Sequence, residues 1–411
     1  MRFAAIHRIT CAVLMTTVGV TAAQTAHASS FSDALSQGTA HLNFRFRFEN
    51  VDQDGIPNDA KALTLKTRIN YKSESFNDFH IFLEADDLSY IGEAKFNNGR
   101  NGEGTYPIVA DPRGTDINQA FIGYGIADTT VKLGRQRINL DTQRFVGGVG
   151  WRQNEQTYDA LSIVNNSISN TTLTYIFIDQ VNRILGPDDP AAGQQPKKWD
   201  SESYLFNAGI KVGDLGKLSL YGYYFDFKDE SPANSNKTLG IRFAGKRPIG
   251  AADFLYAVEY ADQQDNGDNP NNYSANYYNI EAGIAFAPLT IKLGVENLEG
   301  DSTAAGQVFI TPLATAHKFQ GWADKFLGHP GAGIEDSYLT LSGSPLGANV
   351  ALTLHSFDAD SGSANYGSEW DLSIAKKLTD HFSLLVKFAS YDADDRATDT
   401  QKFWLMLTAN F

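Results

Sequence analysis

Cysteine is all but missing: among 411 residues there is one, Cys11. It lies in an N-terminal stretch that reads as a cleaved leader, so disulfides and thiolate chemistry are not expected of the mature chain. Long apolar runs are missing too. No segment reaches the ~20 apolar residues a spanning helix needs, and mean hydropathy is −0.30. This argues against a polytopic helical membrane protein. Positive charge is scarce, with Lys+Arg at 34 against Asp+Glu at 48 and a net charge of −14. A nucleic-acid binder needs the opposite balance to neutralise phosphates, so no nucleic-acid partner is expected. There is no Cys/His metal spacing, and His41, His80, His317, His329, His355 and His381 are scattered. The acidic run 262–268 lacks the spacing and closing Glu of a calcium loop. His80 and Glu84 share a face, yet no nucleophile signature such as G-x-S-x-G accompanies them, so neither catalysis nor a cofactor is expected.

Aromatics and glycine are plentiful: 18 Tyr, 26 Phe and 36 Gly, a mix that favours strands and tight turns. Residues 1–28 have the form of a secretory signal peptide. Arg2 and Arg8 supply the basic end, Ile9–Val20 a short apolar core, and Ala26-His27-Ala28 a small-x-small cleavage site. The remainder, 29–411, carries a period of two. Leu42, Phe44, Phe46 and Phe48 share one face of a strand, and Asn43, Arg45, Arg47 and Glu49 share the other. The same alternation recurs through Leu63–Tyr71, Phe79–Asp86, Tyr204–Val212, Phe254–Tyr260 and Tyr278–Phe286 to Phe403–Phe411. About eighteen strands can be placed, starting near residue 39.

The connections sort by length. Gaps after odd-numbered strands are long, the longest near 88–115, 137–156, 180–201 and 299–336, and gaps after even-numbered strands are short. Only an up-and-down antiparallel meander puts every long loop at one end. The fold class expected is therefore all-β: a transmembrane up-and-down barrel of about 18 strands, with short periplasmic turns and long extracellular loops. Closure follows because an unpaired sheet edge costs several kcal/mol per group in lipid. The apolar face then meets lipid and the polar face lines the lumen.

Two stretches carry a family resemblance. One is Leu133-Gly134-Arg135-Gln136-Arg137-Ile138-Asn139-Leu140-Asp141, continuing through Gln143–Gly147 and Trp151–Asp159. The other runs Thr311–Thr315 and His317–Phe326. With the leader and the terminal Phe411, they make the chain resemble the alginate-export family of outer-membrane porins. The resemblance implies an 18-stranded barrel whose constricted, electropositive lumen passes an anionic polysaccharide. It also implies lipid and lipopolysaccharide around the wall, and presentation of Phe411 to the barrel assembly machinery.

By face, the inward positions carry Arg45, Arg47, Lys66, Arg68, Lys72, Lys132, Lys211, Arg242, Lys292, Lys387 and Lys402. Against them stand Glu49, Glu84, Asp86, Glu259, Glu281, Glu296, Glu369 and Asp371. The acidic surplus thus belongs to the loops, and the wall is mildly basic, most so over the first two strands. The 137–156 loop adds Arg137, Arg144 and Arg152, and Arg135 precedes it. Folded inward, this loop would narrow the lumen with planar forks suited to carboxylates. The bland reading pairs its arginines with Asp141, Glu155 and Asp159. In the 299–336 loop, Phe319, Trp322 and Phe326 have helical spacing, as a lumen lid or a helix on the rim. The expected function is passive passage of small anionic or polar solutes or an anionic polysaccharide. The expected pore-lining residues are Arg45, Arg47, Lys66, Arg68, Arg135, Arg137, Arg144, Arg152 and Arg242. The alternatives are a non-conducting adhesin or structural barrel and, behind it, a barrel-borne hydrolase.

Overall fold

The structure, a computed structural model, describes residues 28–411; Cys11 and all of the expected leader but Ala28 lie outside the described residues. Eighteen strands follow one another: β1 Thr39–Gln53, β2 Ala60–Lys72, β3 Phe79–Tyr90, β4 Gly114–Ile126, β5 Thr129–Gln136, β6 Thr157–Asn165, β7 Thr171–Asn182, β8 Lys198–Val212 and β9 Gly216–Phe225. The second half is β10 Asn236–Ile249, β11 Ala252–Asp265, β12 Ser274–Phe286, β13 Leu289–Leu298, β14 Ile334–Gly343, β15 Asn349–Asp358, β16 Asn365–Lys377, β17 Phe382–Ala393 and β18 Thr400–Asn410. Each pairs antiparallel with its sequence neighbours, and β18 returns to β1, with Phe48 opposite Leu405. The sheet has no free edge, which is what a lipid environment requires.

The alternation fixes the two faces. Ile69, Leu83, Ile122, Leu133, Val258, Ile280 and Leu293 are all about half exposed or more, and form an outward apolar belt. Loop length sorts less cleanly than expected. Residues 54–59 between β1 and β2 are as few as residues 73–78 between β2 and β3. The reason is that β1 continues to Gln53, beyond the lipid belt, and spends its loop residues as strand. The 91–113, 137–156, 183–197 and 299–333 loops remain long and share one end.

Two features depart from the expected plan. A short helix, α1, Phe31–Ser36, precedes β1. It is capped by Ser30, whose Oγ accepts from Asp33 N at 3.1 Å, and is tied to the periplasmic rim by the Tyr71 hydroxyl donating to the Leu35 carbonyl. The lumen, moreover, is not simply polar. Tyr221, Tyr223, Phe225 and Phe227 point inward in a stacked file, with ring centroids 5.0, 6.0 and 5.8 Å apart. Phe145 and Phe309 from two loops pack onto Tyr277, and Phe145 also onto that file. Eighteen strands enclose more space than wall side chains fill. Here the excess on one side is filled by an apolar core brought in by loops.

Candidate functional site

The basic ladder of β1 and β2 serves first as a dock for the 137–156 loop. Arg45 donates to Gln153 Oε1 at 2.7 Å, to the Gly150 carbonyl at 2.9 Å and to the Arg152 carbonyl. Arg47 donates to the Trp151 carbonyl at 2.6 Å and lies 4.1 Å over its ring. Arg68 forks onto Asp86 with two 2.6 Å bonds and reaches Glu155 at 3.0 Å. Glu155 also meets Arg137 and, at 3.8 Å, Lys66. Burial opposes its charge, but Lys66, Arg68 and Arg137 outweigh that and hold the carboxyl below its usual range. Arg152 donates to Glu49 at 2.6 Å and lies 3.8 Å from Asp111. Burial likewise opposes the charge of Asp111, and Arg152 and Arg47 override it. Arg137 binds Glu84 at 2.9 Å, and a β-bulge in β4 turns both Asn118 and Gln119 onto the same Glu84 oxygen, each at 2.8 Å.

The 299–333 loop docks on the facing wall by other means. Trp322 N donates to Asp371 at 3.1 Å and Ala323 N to Glu369 at 2.7 Å. Gln320 donates to Glu296 at 2.9 Å, which also accepts from Tyr277 and pairs with Arg144 at 2.8 Å. A chain of bonds crosses between the walls and the loop. Lys387 Nζ donates to His317 Nε2 at 2.8 Å; His317 Nδ1–H donates to Asp324 Oδ1 at 2.7 Å; Lys402 Nζ donates to Asp324 Oδ2 at 2.7 Å. Burial and the neighbouring Lys387 push the His317 pKa down to about 3, so the ring is neutral. Trp151 stacks on His317 at 4.4 Å, and Lys387 lies within 4.1 Å of the Trp151 ring and 3.5 Å of the Trp322 ring.

The two loops also pair with each other. Val146 bridges Leu313, Gly147 N donates to the Leu313 carbonyl at 2.9 Å, and Thr315 N to the Gln143 carbonyl at 3.0 Å. A Cβ on Gly147 would sit 2.2 Å from Thr315 Oγ1, so only glycine permits this approach. Together they divide the lumen. On one side lies a vestibule of about 480 Å³ formed mostly by loops, with the ends of β1 and β18, and on the other side of the 320–325 segment a chamber of about 280 Å³ lined by Arg242, Glu281, Lys292 and Tyr338.

A family model for alginate export matches residues 35–304, well over half of the chain. The chain belongs to the alginate-export family. Its fold is also that of solved outer-membrane barrels. Pseudomonas aeruginosa OpdK, crystallised with vanillate, is 12% identical, with 92% of this chain and 99% of that chain covered and a TM-score of 0.70. Acinetobacter baumannii OccAB2 is 14% identical with the same coverage and a TM-score of 0.72. No curated protein matches the sequence. This member of the alginate-export family is a porin-like, multi-strand barrel of the Gram-negative outer membrane.

The two stretches that carry the family resemblance are the two inward loops, although the second lies past the matched range. Of the expected pore-lining cations, Arg45, Arg47, Lys66, Arg68, Arg137 and Arg152 come together at the β1–β2 wall. Arg242 stands across the lumen beside Glu259 at 3.3 Å. Arg144 and Arg152 are 1% and 8% exposed, each buried against a carboxylate that holds its loop. Arg135 is a correction: it shares the face of Leu133 and Ile122, which point outward, and pairs there with Asp159 at 2.8 Å. The bland pairing holds for Arg137 with Glu155. Asp141, by contrast, takes Asn207, Lys217 and Ser219 instead of an arginine. The helical stripe of the second loop is a further correction. Its helical part is one 3₁₀ turn at Ala316–Lys318, because the segment spends its backbone N–H groups on wall carboxylates. Sequence reasoning missed Asp111, Trp151 and His317 as loop anchors; Trp151 and His317 lay in quoted stretches, but nothing local announced their partners.

Proposed function

We propose that this barrel is a passive channel for small anionic or polar solutes, its lumen narrowed by the 137–156 and 299–333 loops. The observation that carries this reading is the state of the cations along the β1–β2 wall. Arg45 bonds only to neutral oxygens and has no carboxylate within 4 Å among the described residues, so it stands in excess, while Lys66, Arg68 and Arg137 are met by Glu84, Asp86 and Glu155. A surplus of fixed positive charge at a constriction favours anions, whatever the net charge of the whole chain. That OpdK, of the same fold, was crystallised with vanillate is in keeping with this. The test is the reversal potential of purified protein in planar bilayers under a salt gradient. An anion preference is expected, and Arg45→Ala should reduce it; an unchanged potential would sink the assignment of Arg45.

A second reading has one observation in its favour. The loops that pair through Gly147 and Leu313 bring apolar side chains into the lumen, as a closed adhesin or structural barrel would. Folded protein that carries no current would favour it.

A further inference from the structure

The vestibule beside the two loops does not look like a passage for sugars. Its lining is largely apolar, with Ile56, Tyr106, Ile108, Ile184 and Leu327 contributed by four different loops. Ile108 and Leu327 are 61% and 56% exposed, unusual for large aliphatic side chains that lie off the lipid belt. Four cations share this lining: Arg152, Arg183, Lys325 and Lys402. Two are spoken for, Arg152 by Glu49 and Lys402 by Asp324. The other two are not. Arg183 stacks over Trp199 at 4.3 Å and donates only to the Pro196 carbonyl and Gln195 Oε1. Lys325 has no hydrogen bond and no ion-pair partner among the described residues. Burial and nearby Lys402 lower its pKa to about 8, against the opposing pull of Glu369 and Asp324, neither of which reaches it as an ion pair.

An uncharged apolar guest would leave Lys325 and Arg183 without a carboxylate partner in a half-dry site. A uronate would pair with them but leave the aliphatic lining wet. A molecule with one carboxylate and an apolar body answers both, and about 480 Å³ lies within the range of small-molecule sites. We infer that the vestibule is a binding site for apolar monocarboxylic acids, aromatic or alkyl, with Lys325 and Arg183 receiving the carboxylate and Ile108 and Leu327 covering the body. This rests on the channel reading only for its purpose, since it would make the vestibule the selective first stop of the path.

Calorimetry on the folded, detergent-solubilised barrel tests it, with 3-phenylpropionate as probe and glucuronate and 3-phenylpropionamide as controls. The acid should bind about tenfold or more tighter than either control, since a charge-assisted bond or a buried ring is each worth that factor. Lys325→Gln should remove most of the preference over the amide, and Lys325→Arg should keep it. Ile108→Asn should erode the preference over glucuronate alone. Equal binding of glucuronate, or acid binding untouched by Lys325→Gln, overturns the site. Bilayer current separates the two claims: binding without conductance defeats the channel and keeps the site, whereas conductance without acid binding does the reverse.

Discussion

The two inward loops reach the same place by different physics. The 137–156 loop is held mostly by charge: Arg45, Arg47 and Arg68 from the wall grip its carbonyls and Glu155, and its own Arg152 reaches Glu49. The 299–333 loop is held mostly by neutral groups. Phe326 packs 4.6 Å from Phe357, backbone N–H groups cap Glu369 and Asp371, and neutral His317 lies between Lys387 and Asp324. The lesson is that inward charge on a barrel strand does not by itself mean a charge offered to solute. The strands of β1 and β2 display the most basic face of the wall, yet much of it is consumed in docking a loop.

The largest effect should come from breaking the charged dock. Arg152→Ala leaves Glu49 and Asp111, both fully buried, with Arg47 alone at 3.9 and 3.6 Å. Removing one partner of a buried pair costs about 3–5 kcal/mol, so the loop should leave the wall. Limited proteolysis within 137–156 and a larger single-channel conductance would report this; a loop still protected would refute the charge-held account. On the other loop, Phe326→Ala should cost a comparable ~3–5 kcal/mol through the cavity it leaves, with cleavage confined to 299–333. If both substitutions freed both loops equally, the bridge from Val146 to Leu313 would outweigh either dock.

Acid should separate the loops with an intermediate effect. His317 and His329 both have pKa values pushed down to about 3, by burial first and by Lys387 and Arg144 respectively. Around His317 stand Asp324, Lys387 and Arg152; around His329, Arg144 and the Phe309 carbonyl. Each ring is neutral when docked, while a released loop takes up its proton near pH 6.5. The undocked state then binds more protons between about pH 6.5 and 3, and docking weakens as pH falls through that window. Glu155, Asp111 and Asp324 run the other way. Their carboxyls are depressed, so their contribution is complete above the ordinary carboxylate range near pH 4 and is lost only below it. At pH 5, hydrogen exchange corrected for intrinsic rate should therefore rise in 299–333 and stay low in 137–156. Equal protection of both loops at pH 5 would contradict the histidine account.

Much of the fold could be read from residues alone because strand alternation is a local property. Phe44 and Arg45 declare their faces without reference to anything distant, and the terminal strand from Phe403 does the same. The site was legible only in composition. Arg144 and Arg152 could be expected in the lumen only on the condition that their loop folds inward, and Glu296 and Glu49, their partners, lie on strands far away in sequence. Arg135 was grouped with the loop arginines it precedes, although the alternation that continues through Gly134 sets it outward with Leu133 and leaves the inward position to Gln136. The apolar vestibule was not legible at all, since its lining comes from separate loops, one isoleucine or leucine at a time.

The smallest effect belongs to the hinge of the first loop, where charge is present but exposed. Asp141 turns the chain with φ 46° and accepts from Lys217 at 2.9 Å, Ser219 at 2.8 Å and Asn207 at 2.6 Å. The Lys217 side chain is 55% exposed, so its pairing is screened by solvent and worth less than about 1 kcal/mol. Lys217→Ala leaves the other two donors in place, so it should change neither proteolysis of 137–156 nor conductance by more than about twofold. Asp141→Ala removes the common acceptor of all three and gives up a residue type that tolerates the left-handed region, so its effect should be clearly larger. Should Lys217→Ala instead free the loop as Arg152→Ala is expected to, exposed and buried ion pairs would carry equal weight here, and burial could no longer be the reason the charged dock holds.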